Sequence, residues 1–118
     1  DLSVQRNIIK RELIRHGYIV LPFQTLPGTA QALENTVKKD LDECSFSIHL
    51  IGSSYGDIPD GTDKSVVDIQ NKLAAEKASK AREAKQDFTR LIWISPTLVN
   101  ISEKQKAFIE ALKRDADI

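Results

Sequence analysis

The sequence predicts an α/β domain built on a parallel β-sheet, with helices packed on both of its faces. Helical apolar periodicity alternates along the chain with short β-branched runs, which is the pattern of strand and crossover helix. The runs lie too far apart to be joined by hairpins, so neighbouring strands are expected to be parallel. A polar loop rich in glycine follows the most apolar run, where open parallel sheets place their ligand sites. With 118 residues, residues 1–118 are read as a single domain, and an apolar content of 41% is enough to build its core.

From Leu2 to His16, Val4, Ile8, Ile9 and Leu13 recur at helical spacing among Arg6, Lys10, Arg11, Glu12 and Arg15. This is an amphipathic helix, and Gly17 caps its end. Tyr18-Ile19-Val20-Leu21-Pro22 reads as a strand closed by proline, and Pro27-Gly28 as a turn. Ala30, Leu33, Val37 and Leu41 mark one face of a second helix, before the buried strand Phe46 to Gly52. Ser65 is the N-cap of a third helix running from Val66 to Ala84, whose second half is expected in solvent. Arg90 to Ser95 forms the last strand, ended by Pro96, and Ser102 with Gln105 makes a capping box for a helix through Arg114. Three strands with four helices leave sheet edges that are normally paired, so the pattern predicts a further strand before Asp1 and leaves room for another after Ile118.

Lysine plus arginine total 17 and aspartate plus glutamate total 17, so no net field draws the chain to nucleic acid or to an anionic membrane. Its apolar runs are far shorter than the ~20 residues that cross a bilayer. Cys44 is the only cysteine and has no intrachain disulfide partner, no Cys/His cluster suggests a metal, and no signal-peptide pattern is present. A cytoplasmic location is the expectation. The phosphate-loop, dinucleotide-binding and nucleophile-elbow motifs are all absent.

Three segments fall at carboxyl ends of expected strands: Pro22 to Thr29, Gly52 to Lys64, and Ser95 to Ser102. The middle one is densest in special residues. Gly52 and Gly56 allow close backbone approach, Tyr55 offers a ring to stack on a base or a nicotinamide, and the hydroxyls of Ser53 and Ser65 suit a ribose. Asp68 lies three residues past Ser65 on nearly the same helix face, where a carboxylate can bind a ribose hydroxyl or stabilise an oxocarbenium ion. The plainer reading is a turn-rich crossover, a serine cap and an acid favoured by the helix dipole. His49 reads as a buried, hydrogen-bonded strand residue, Cys44 as a packed small apolar group, and Trp93 as core or crevice wall.

The opening Asp1-Leu2-Ser3-Val4-Gln5-Arg6, the strand and loop Ile48 to Gly56, and Ser65-Val66-Val67-Asp68 together resemble a bacterial family of TIR-like domains of unassigned function. In that family a strand runs into an Asp-Leu-x-x-x-Arg helix, and a Gly-x-x-Tyr-Gly loop leads to a Ser-x-x-Glu helix. The resemblance implies a three-layer flavodoxin-like TIR sheet of five parallel strands, of which this chain would supply the second, third and fourth. It also implies a self-assembling signalling or bacterial defence module, with partners that are further copies or other signalling domains. Many relatives of that type cleave the nicotinamide glycosidic bond of NAD, which would then be a substrate and not a cofactor. The glutamate of the pattern corresponds to Asp68 here, one methylene shorter.

Three functional readings follow. The first is a TIR-like domain that binds a nucleotide through Gly52, Ser53, Tyr55, Gly56 and Ser65, with Asp68 as the catalytic acid group. The second is a non-catalytic module for self-association or partner binding. The third is a nucleoside deoxyribosyltransferase-like enzyme, echoed by Asp60-Gly61-Thr62, although the glutamate that group places three residues after its threonine is Ser65 here.

Overall fold

Helix and strand alternate through most of the chain, as the periodicity requires, in a computed structural model that describes residues 2–22 and 25–115. The order is α1 (Ser3–Arg15), α2 (Ala30–Asp42), β1 (Phe46–Ile51), α3 (Val66–Glu83), β2 (Thr89–Ile94) and α4 (Glu103–Asp115). Side-chain caps begin three of the helices: Thr29 accepts from the Ala32 N–H, Ser65 from the Asp68 N–H and Ser102 from the Gln105 N–H. Gly17, at φ +89°, ends α1, with its own N–H bonded to the Ile14 carbonyl and the Tyr18 N–H bonded to that of Leu13. That pair of bonds is the Schellman closure, and it needs the left-handed backbone that glycine adopts without strain.

β1 and β2 pair in parallel, from Phe46 opposite Thr89 to Ile51 opposite Ile94. Alternation places Ser47, His49, Ile51, Arg90, Ile92 and Ile94 on one face of this sheet. Helix α4 covers that face at its carboxyl end, burying Ile51, Phe108, Ile109 and Leu112 beside Ile92 and Ile94. A second core joins α2 to α3 through Leu33, Val37, Leu41, Leu73 and Ala74. Lys77 donates to the Leu41 carbonyl and lies over the Phe88 ring, so its stem seals the end of this core while its charge stays hydrogen-bonded.

The structure corrects four expectations. Tyr18 to Pro22 is not a strand, because a strand exists only against a neighbour and no described strand lies beside this segment; the sheet therefore has two strands. Helices do not cover both faces of β2: Leu91 is 48% and Trp93 39% exposed, so Trp93 is not core. The second half of α3 is not wholly in solvent, since Ala81 is buried. The capping box of α4 is only half made. Ser102 Oγ accepts from the Gln105 N–H, but the Gln105 side chain turns away and donates to the Gly52 carbonyl at 2.6 Å.

Candidate functional site

All three loops singled out in the sequence meet beyond the carboxyl end of the two strands. The Ser95 N–H donates to the Ile51 carbonyl, and the Val99 N–H donates to Ser53 Oγ at 2.9 Å, joining the loops that follow β1 and β2. Thr29 bridges to Asp60, with the Ala30 N–H on the Asp60 carbonyl and the Asp60 N–H on that of Gly28. Phe23 and Gln24 of the first loop lie outside the described residues.

At the centre stands a short relay of hydrogen bonds. Tyr55 Oη donates to Asp68 Oδ2 at 2.7 Å and accepts from the Ser65 N–H at 3.3 Å, while Ser65 Oγ accepts from the Asp68 N–H at 3.2 Å. The hydroxyl thus satisfies one of the free amides at the start of α3 and fixes a carboxylate in its first turn. Gly56, at φ +94°, turns the loop so that Tyr55 can reach back; the Val66 N–H, bonded to the Asp57 carbonyl, closes the turn onto the helix. Burial, and then the hydrogen bond to Asp68, push the Tyr55 phenol above its ordinary range, so it remains a donor at neutral pH.

Helix α4 grips the same loop from the other side. Lys104 donates to the Asp63 carbonyl with its ammonium 5.6 Å from the centre of the Tyr55 ring, and Phe108 meets that ring edge-on at 6.2 Å. Gln105 is buried, and its Oε1 has no hydrogen-bond partner among the described residues.

The structure therefore brings Tyr55, Ser65 and Asp68 into direct contact and turns Gly52 and Ser53 toward α4 and the loop after β2. Ser65 is fully buried, and its hydroxyl serves the helix cap. A Cβ on Gly52 would stand 3.2 Å from the Leu2 side chain, which would have to shift by a few tenths of an ångström to admit it. Asp68 opens onto a groove of about 500 Å3 between α3 and α4, lined also by Asn71, Lys72, Arg82 and Arg90. Arg90 donates to Asn71 Oδ1 at 2.7 Å. The cations of this groove escaped the sequence reading because β2 and α3 supply them far apart in the chain. Their only local sign was Arg90 opening a strand otherwise apolar.

Among the described residues, no group of three or more His, Cys, Asp or Glu side chains is placed to hold a metal ion, and no helix is long and apolar enough to cross a membrane. His49, expected as a buried polar residue, is 8% exposed and bonded through Nε2 to Ser47 Oγ at 2.8 Å. Cys44 is half-buried, and burial raises its thiol above the ordinary value. Comparison of the chain with protein-family models, with curated proteins and with solved structures finds no significant match.

Proposed function

We propose that the chain is part of a TIR-like signalling or defence domain of flavodoxin-like fold, and that the corner formed by Tyr55 and Asp68 binds a nucleotide, NAD being the first candidate. One observation carries this reading: the Tyr55 hydroxyl holds Asp68 on the wall of a groove whose other charged side chains are Lys72, Glu76, Arg82 and Arg90. A carboxylate accepts ribose hydroxyls and guanidinium groups grip phosphate oxygens, so the groove offers complementary groups to both parts of a nucleotide. NAD consumption and nicotinamide release are to be measured on the chain and on Asp68→Ala. Turnover in the parent and at least a ~100-fold loss in the variant is the expected result for a carboxylate at the reacting centre. Equal turnover in both, or none in either, removes Asp68 as the catalytic group, and calorimetric titration with NAD then tests binding separately.

A second reading, a module for self-association, is favoured by the exposed apolar side chains Leu91 and Trp93 on the uncovered face of β2. Light scattering over a concentration series tests it; a strict monomer throughout argues against it.

A further inference from the structure

The wall that α3 gives to the groove carries charges of alternating sign. Asp68, Lys72 and Glu76 all line it, each four residues past the one before. At ~3.6 residues per turn that spacing keeps the three on one side of the helix, and at ~1.5 Å per residue it sets neighbours about 6 Å apart along the axis. Acid, cation and acid therefore follow one another over about 12 Å. Lys72 and Glu76 are both exposed, and no ion pair joins Glu76 to another described residue. Its carboxylate stays open to a ligand. Between this row and α4 the wall is plain, since Ala75, Ala78 and Ala111 bring no polar side chain and leave room for a flat ring.

A dinucleotide offers ribose, pyrophosphate and ribose in that order, which is the order of partners along α3. If the first ribose lies at Asp68, as in the nucleotide reading on which this step rests, the pyrophosphate falls at Lys72 and the second ribose at Glu76. A mononucleotide would leave Glu76 unused. The two forms of the second ribose meet that carboxylate very differently. Free 2′ and 3′ hydroxyls donate to it, whereas a 2′-phosphate removes one donor and adds up to about two negative charges. Arg82 also lines the groove, but it stands six residues further on, about 9 Å along the axis and past that ribose.

From this row of charges we infer that Glu76 is the specificity-determining residue of the groove, accepting the free hydroxyls of the second ribose of a dinucleotide and rejecting dinucleotides phosphorylated at its 2′ position. An acidic side chain on the ribose diol is a general means of telling NAD from NADP.

Titration calorimetry with NAD and with NADP, on the chain and on Glu76→Gln, tests it. Glutamate 76 is exposed and glutamine has nearly the same helix propensity, so the variant keeps the fold. The unmodified chain is expected to bind NAD at least ~10-fold more tightly than NADP, and Glu76→Gln to bind the two within about threefold of each other, chiefly because NADP binding improves. The preference of the unmodified chain should also shrink as salt rises from ~0.05 to ~0.5 M, because charge repulsion at an exposed site is screened. Equal affinities in the unmodified chain, or a preference that Glu76→Gln leaves unchanged, overturns the inference while the nucleotide reading stands. Binding of neither dinucleotide overturns both.

Discussion

Tyr55 is the residue on which the candidate site turns, because one hydroxyl serves two partners at the start of α3. Tyr55→Phe keeps the ring against Phe108 but leaves the Ser65 amide and the Asp68 carboxylate each without that partner. The expected cost is about 1–2 kcal/mol, read from the urea midpoint, and a double-mutant cycle with Asp68→Ala should show that most of it is shared between the two residues. His49 gives a second test at this scale. Burial, and then the Arg90 guanidinium, lower its imidazole from 6.5 to about 4. The unfolded chain therefore binds the extra proton between those values, so stability is full above about pH 6.5 and falls as the pH drops toward 4, by on the order of 3 kcal/mol. Urea unfolding at pH 7 and 4.5 should show this slope, and His49→Gln should remove that part of it. The sequence placed Tyr55 and Asp68 at one cleft, but the bond between them spans 13 residues and depends on a turn whose path no local pattern specifies.

The helices were legible because their signals are local: Ser65 and Ser102 at the starts, Gly17 at an end, and apolar residues every third or fourth position between. The two paired strands were legible as apolar runs, whereas Tyr18 to Pro22 carried the composition of a strand without a partner to make it one. At Gln105 a local motif lost to a distant group, since a part-buried Gly52 carbonyl is costlier to leave unbonded than the solvated start of a helix. The extent of α3 was foreseen to within a residue, but not the closure that ends it. Lys85 stands at φ +56°, and the Gln86 N–H reaches the Ala81 carbonyl, a Schellman closure built on a residue with a Cβ. Lys85→Gly should therefore raise stability by about 0.5–1 kcal/mol, seen as a higher midpoint in thermal unfolding.

Across the whole molecule, burial is uneven. Helix α3 buries Asn71, Leu73, Ala74 and Ala81, whereas α1 buries none of its residues and meets the rest of the chain mainly at its two ends. Amides of α1 should accordingly exchange at least ~100-fold faster than those of α3 in the 118-residue chain, measured by NMR, because a helix without a buried face opens without unfolding the rest. The larger architecture was only partly visible in the sequence for the same reason: a two-stranded sheet depends on what else covers it, and that is not written in either strand. Helix α4 has the opposite character. Lys104, Gln105 and Phe108 clasp a backbone oxygen, a second backbone oxygen and an aromatic ring of one loop within a single turn of helix. Lifting that turn would release all three grips together, so the outer bracing of the tyrosine corner hangs on a single stretch of helix.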